Sequence, residues 1–251
     1  MKLEHDDQEQ ILQLCKVLRL HKIADVLGEE LALAASKGSA PQEVVRRLLQ
    51  SQWGFVQERS LKYRVDHADV PEVWEIETFP FEKQPGVHAH QIRQLGSLDF
   101  IASGTNVVFT GDTGVGKTGL ATGLLLRALR AGHRGLFVKA QDLFDEMYAS
   151  LADRSTRRYI DHLDRHAVIL IDELGYLNLR PEQANIFFRL MEARHLAKRP
   201  TLITTNLSYD EWPGLLGNPA MTKALLSRLQ QRCVTLEISG PSLRAPSQAS
   251  A

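Results

Sequence analysis

Cysteine and net charge are both scarce in this 251-residue sequence. The two cysteines, Cys15 and Cys233, stand far apart and in no C-x-x-C spacing. That argues against a disulfide framework or a cysteine zinc site, and both read as small buried hydrophobes in a reducing compartment. Lys plus Arg and Asp plus Glu number 30 each, a formal net charge of zero. Bulk electrostatic attraction to nucleic acid is thereby removed as an argument, so any such role must rest on local basic patches. Neutrality also favours self-association. No apolar run approaches membrane-spanning length. Met1 to Gln10 is polar and acid-rich, without the charged-then-apolar order of a secretory signal. A cytoplasmic protein with no membrane partner is the expectation. Hydrophobic content of 43% and charged content of 24% are ordinary for a globular chain, and the length allows one sizeable core plus a smaller module.

The first 66 residues read as a small helical module. Apolar residues recur at helical spacing over Ile11 to Leu20 and Lys22 to Lys37, with a stop at Gly38. Ser39-Ala40-Pro41 followed by Glu43 looks like the start of a third helix running towards Val65. Residues 67–86 change character: Pro71, Pro80, Pro85 and Gly86 interrupt regularity among Trp74, Phe79 and Phe81, which suggests an extended linker packed on the next domain. Val87 to Ala102 predicts one helix. From Asn106 onward strands and helices alternate, with strands over Asn106–Thr110, Gly135–Lys139, Ala167–Ile171, Thr201–Thr205 and Val234–Ile238. Such alternation predicts a parallel sheet sandwiched by helices, an α/β fold, over residues 87–245. Residues 246–251 are expected to form a disordered tail.

The richest segment is Gly111-Asp112-Thr113-Gly114-Val115-Gly116-Lys117-Thr118, which fits G-x-x-x-x-G-K-[ST], the phosphate-binding loop of nucleoside triphosphatases. The glycines let the chain curl so that successive N–H groups face a polyanion. Lys117 brings a point charge to the β- and γ-phosphates, and Thr118 offers a hydroxyl to Mg²⁺. The helix from Gly119 adds its N-terminal dipole. The apolar Asn106–Thr110 run before the loop supplies the strand this motif requires.

A second set of residues completes the chemistry. The apolar strand Ala167–Ile171 ends in Asp172-Glu173, where a parallel sheet opens its ligand crevice. Asp172 suits Mg²⁺, and Glu173 suits polarisation of the attacking water. Thr201–Thr205 ends in Asn206, whose amide can stand beside the γ-phosphate. Arg228 and Arg232 at i and i+4, and Arg194 and Arg199 around another helix end, are candidates to stabilise transition-state charge, in cis or from a neighbouring copy.

Together these segments resemble the IstB-like ATPases, helper proteins of IS21-family transposons in the AAA+ class of P-loop NTPases, related to DnaC-type helicase loaders. The likeness is carried by Gly111–Thr118, by Ile171-Asp172-Glu173-Leu174-Gly175-Tyr176, by Thr204-Thr205-Asn206 with Trp212 following, by Ala224-Leu225-Leu226-Ser227-Arg228-Leu229, and by the amino-terminal helices with Glu58-Arg59. The resemblance implies an ATPase using ATP and Mg²⁺. Lys117, Glu173, Asn206 and Arg228 would act in catalysis, with Arg228 acting in trans and Asn206 as the first sensor. Gly111 to Gly119 would bind nucleotide, Thr118 and Asp172 would hold the metal, and Arg244 would be the second sensor. It also implies homo-oligomers bridged by ATP around duplex DNA, and an IstA-like transposase as partner. The segment Lys139 to Arg158 falls where initiator-type members carry an extra helix that tracks DNA. Residues 1–66 would then serve partner or DNA interaction. Candidate phosphate-contacting cations are Lys139, Arg154, Arg157 and Arg158, with Arg46, Arg47, Arg59, Lys62 and Arg64 in the helical module. The sequence departs from the family at Gly119, where many relatives have histidine, and at Ser227, where many have aspartate, neither of which removes a triphosphate contact; it also departs over Thr78 to Pro85, so base-side contacts there are not carried over. Two other readings share the same core: a helicase loader, distinguished by what the amino-terminal module binds, and a small-molecule phosphotransferase, which would need an arginine-bearing lid that the sequence does not display.

Overall fold

The computed structural model describes residues 2–72, 74–175 and 177–244. The chain forms two compact units, Met1–Tyr63 and Arg64–Ala251.

The first unit is helical: α1 (Lys2–Val17), α2 (His21–Lys37) and α3 (Pro41–Asp66) as far as Tyr63, the last turn of α3 belonging to the second unit. Its interior includes Cys15, Ile23 and Leu27. Helix α2 has Leu20 at its N-cap, which brings no side-chain acceptor. Gln52 of α3 supplies one: its Oε1 accepts from the backbone N–H groups of Lys22 and Ile23 at 3.0 and 3.3 Å. A glutamine is buried here because it satisfies donors that a helix start leaves open. At the other end Gly38 adopts φ 62° and returns its N–H to the Ala34 carbonyl.

The second unit holds a five-stranded parallel sheet of β1 (Asn106–Gly111), β2 (Gly135–Lys139), β3 (Val168–Asp172), β4 (Thr201–Thr205) and β5 (Cys233–Ile238), in spatial order β2-β3-β4-β1-β5. Strand alternation divides the core into two layers. Val107, Phe109, Val168, Leu170 and Leu202 face a cluster built with α4 (Ala89–Leu95), α5 (Asp99–Ser103) and α6 (Lys117–Arg130). Val108, Ile169, Ile171 and Ile203 face the opposite cluster, formed with α7 (Ala140–Ala152), α8 (Thr156–Asp164), α9 (Pro181–Leu196), α10 (Trp212–Leu216) and α11 (Pro219–Gln231). Both faces are covered, which is why these strands read as unbroken apolar runs.

The order matters for function. Strand β4 lies between β3 and β1, although β3 precedes it and β1 opens the sheet. The carboxyl ends of β1, β4 and β3 are therefore neighbours, with Phe109 beside Thr204 and Ile171 beside Ile203. This is the crevice position where open α/β sheets bind ligands.

Three local expectations are corrected. Val87 to Ala102 is not one helix: Leu98 takes φ 70°, and the break separates α4 from α5. Arg232 does not share a helical face with Arg228, because α11 ends at Gln231 and Arg232 has φ −139° and ψ 80°. Arg194 is not a free cation. It is 1% exposed; Nε donates to Thr201 Oγ1 at 3.0 Å, Nη2 to the Pro200 carbonyl at 2.6 Å and Nη1 to the His166 carbonyl at 3.1 Å. Burial lowers its pKa to about 10, which leaves it charged at neutral pH and in need of those acceptors. Arg194→Ala opens a cavity and strands the acceptors, an expected loss of about 3–5 kcal/mol. Thermal unfolding reads it as a midpoint drop on the order of 10 °C; an unchanged midpoint would contradict this structural role.

Residues 67–86 join the second unit, with Ile76 and Phe79 buried in its core. The family-specific Tyr176 and the tail 246–251 lie outside the described residues.

Candidate functional site

The loop between β1 and α6 follows from its glycines. Gly114 and Gly116 have φ 88° and 99°, a region other residues enter at a cost. The chain thus turns sharply enough to aim the start of α6 back over the strand end. Lys117 is the first residue of α6, and its Nζ donates to the carbonyls of Gly111 and Asp112 at 2.7 Å each. Burial pushes this ammonium below the ordinary lysine value, opposed by the carboxylates of Asp112, Asp172 and Glu173 and reinforced by Arg244. Such a group is a partly desolvated cation able to exchange carbonyl partners for phosphate oxygens.

Thr118 and Asp172 meet across the cleft: the threonine Oγ1 donates to Asp172 Oδ1 at 2.8 Å. Asp172 is nearly buried at 3% exposure, and the same oxygen accepts from Thr204 Oγ1 at 2.6 Å. Thr204 also fixes the next residue, since its Oγ1 accepts the Glu173 N–H at 2.8 Å and its carbonyl accepts the Leu174 N–H at 2.8 Å. Glu173 has φ 58°, a sparsely populated conformation that such clamping can maintain. Thr204 is the cleft residue that the sequence does not single out: within Thr204-Thr205-Asn206 nothing marks its reach to β3, which depends on strand order.

Thr113, Gly114, Gly116, Lys117, Thr118, Gly119, Asp172, Glu173, Asn206 and Arg244 all line one cleft of about 690 Å³. Gly175 lines it too, and a Cβ there would lie 2.3 Å from Asn206 Oδ1, so the bare glycine leaves room for the amide. Gly111, Asp112 and Val115 shape the loop from behind; Val115 is buried, and Gly111 passes so close to the Ile238 carbonyl that a Cβ would sit 2.1 Å from it. The stretch after β5 closes over the loop, with the Leu243 N–H donating to the Gly114 carbonyl at 2.8 Å.

Arg228 is not in this cleft. It lies on α11, half-exposed, with Nη2 3.3 Å from Glu192 Oε1 of α9. The basic residues are divided. Arg47 is paired with Glu30 and Glu43, Arg64 donates to the Leu129 carbonyl and Arg46 donates to Gln50. Arg59 stacks 5.5 Å from the Phe55 ring centre. Lys139 lines the cleft at the start of α7.

The sequence and the fold have known counterparts. The family model described as "IstB-like ATP binding protein" matches residues 13–251. The chain belongs to this family. It is 33% identical over 227 residues to the "Insertion sequence IS21 putative ATP-binding protein" of Pseudomonas aeruginosa, covering 90% of this chain and 85% of that one. It is 30% identical to the counterpart in insertion sequence IS5376 of Geobacillus stearothermophilus, covering 94% of each. Among solved structures, a DnaC helicase loader shares the fold with a TM-score of 0.53 and 23% identity, over 60% of this chain and 88% of that one. The second unit thus shares the fold of that loader, a phosphate-loop core with the parallel sheet between helical layers. Among the described residues no helix is long and apolar enough to cross a membrane.

The set of oxygens suits magnesium. Thr118 Oγ1 and Asp172 Oδ1 converge at the cleft wall, and a hard cation that keeps several waters needs few protein oxygens beside those of phosphate.

Proposed function

We propose that this chain is an ATPase, converting ATP and water to ADP and phosphate, and a helper of IS21-type transposition. Copies would assemble on duplex DNA through ATP-bridged interfaces and engage an IstA-like transposase. One observation carries the proposal: Lys117, Thr118, Asp172, Glu173 and Asn206 line a single cleft, whereas Arg228 stands on another surface. An arginine turned outward suits a neighbour's nucleotide better than its own.

In this reading the Lys117 ammonium leaves the Gly111 and Asp112 carbonyls for the β- and γ-phosphate oxygens. Thr118 Oγ1 and Asp172 would hold Mg²⁺, which would supply countercharge to the triphosphate. The Glu173 carboxylate accepts a proton from the attacking water as its oxygen bonds to the γ-phosphorus and the bond to the bridging oxygen breaks. Asn206 orients that water through its amide. Arg244 reaches the phosphates from the segment after β5. Half-exposed pairs such as Arg228–Glu192 are worth below about 1 kcal/mol, so Glu192 does not prevent Arg228 from turning to a neighbour. Residues 1–66 serve partner or DNA contacts, and Lys139, Arg154, Arg157 and Arg158 attract DNA phosphates without reading sequence.

Imaging and sedimentation with and without Mg-ATP and duplex DNA test the proposal. Large assemblies are expected when both are present, and DNA affinity should fall as salt rises, with a log–log slope of about 0.9 per phosphate contact. Protein that stays as single copies with both ligands present, or DNA affinity indifferent to salt, would refute it.

A further inference from the structure

A nucleoside triphosphate has a direction in this cleft. Lys117 serves the β- and γ-phosphates, the loop N–H groups cradle the α- and β-phosphates, and Glu173 with Asn206 marks the γ end. The nucleoside then lies beside the start of α6, where Phe79 and Leu243 pack near Gly116 and Trp74 packs on Gly119, all of them lining the cleft.

Two aromatic rings stand there, and they are not equivalent. Phe79 is buried beneath the loop, where a Cβ on Gly116 would meet it at 2.6 Å, and it packs edge-on against Phe81 with centroids 4.9 Å apart. At 5% exposure it has little surface left for a ligand. Trp74 is half-buried and lines the cleft. Its indole rests on Gly119 in the first turn of α6, where an added Cβ would lie 3.2 Å from both Cδ2 and Cε3. Glycine is a poor helix former at such a position, and the flat approach of the indole is what its missing side chain permits. One turn on, Gly123 admits Ile76 in the same way, with a Cβ 3.0 Å from Cγ1. Arg127 pairs with Glu77 at 2.8 Å and Arg130 with Glu75 at 2.5 Å. The strap 74–78 is therefore pinned to α6 independently of the indole.

We infer that the Trp74 indole, seated on Gly119, is the stacking platform for the nucleobase; this rests on the phosphate-loop reading above. Gly119 and the tryptophan 45 positions earlier form one device: a helix residue without a side chain makes room for a ring from the strap. Stacking on an indole adds affinity for the base and none for the phosphates.

Calorimetric titration of Mg-ATP and of Mg-tripolyphosphate into the full chain separates these contributions, with tryptophan emission followed in parallel. Trp74→Ala should weaken ATP roughly 10-fold and leave tripolyphosphate unchanged, while Trp74→Phe should retain ATP within about threefold. ATP, but not tripolyphosphate, should alter the emission of the wild-type chain, and either variant should lose that response. The other tryptophans are poor reporters of this site: Trp53 is 65% exposed in the first unit, and Trp212 is fully buried outside the cleft. Equal weakening of both ligands by Trp74→Ala would make the indole merely structural and overturn the inference. So would undiminished ATP affinity, or wild-type protein that binds tripolyphosphate as tightly as ATP. Wild-type protein that binds neither ligand refutes the phosphate loop itself, and this inference with it.

Discussion

Glu173→Gln is expected to bind Mg-ATP with near wild-type affinity while phosphate release falls by about two to four orders of magnitude, the usual contribution of a positioned general base. The substitution keeps size and hydrogen-bonding reach and removes the ability to accept a proton. Glu173 suits such a test because its main chain is fixed independently of its carboxylate: the N–H donates to Thr204 Oγ1, and Leu174 donates to the Thr204 carbonyl. The φ of 58° is therefore held by the β3–β4 pairing and not by the side chain. Nucleotide affinity should remain because Lys117, Thr118 and Asp172 are untouched. Nucleotide titration and a phosphate-release assay on the same preparation check both halves. Turnover at the wild-type rate would remove Glu173 from its assigned role; lost affinity would mean that it supports the cleft instead.

Arg228→Ala is expected to leave nucleotide binding by single copies intact and to reduce turnover of the assembled protein by about 10³-fold or more, the range for an arginine delivered to a transferring phosphoryl group. Arg228 stands outside the cleft of its own chain, so the loss can appear only where copies meet. Mixing supplies the decisive measurement. A Glu173→Gln chain contributes an intact arginine, and an Arg228→Ala chain contributes an intact base, so the mixture should regain part of the activity that neither has alone. No recovery on mixing, with assemblies demonstrably formed, would place the function of Arg228 within its own subunit. Deleting the charge frees Glu192 to solvent at little cost, because both partners are half-exposed; a large drop in unfolding temperature would point to a structural role instead.

Much of this was legible in the chain. The curled loop with Lys117 and Thr118, and the apolar strand ending in Asp172-Glu173, are local patterns whose chemistry follows from spacing along a few residues. The strand–helix alternation likewise predicts the covered parallel sheet, because strands buried on both faces lose their polar alternation. Other features depend on neighbours distant in sequence. Arg194 and Arg228 both read as helix cations. Only packing shows that Arg194 is sealed among the carbonyls of His166 and Pro200 while Arg228 meets solvent. Leu98 carries no turn signature, yet its φ of 70° splits the expected helix. Along the chain Trp74 is one aromatic among several in a linker and Gly119 one glycine after the loop; their contact joins residues from two segments.

By itself the sequence determined that a curled glycine loop, two acids at a strand end and a parallel sheet exist here, because each is written in adjacent residues with fixed chemistry. Tertiary structure alone decided that β4 lies between β1 and β3. That insertion lets Thr204 hold both Asp172 and Glu173, and it brings Asn206 into the cleft with Lys117. Strand order is a competition among long-range pairings, each closing a different loop and burying a different face. No single segment of the chain carries its outcome.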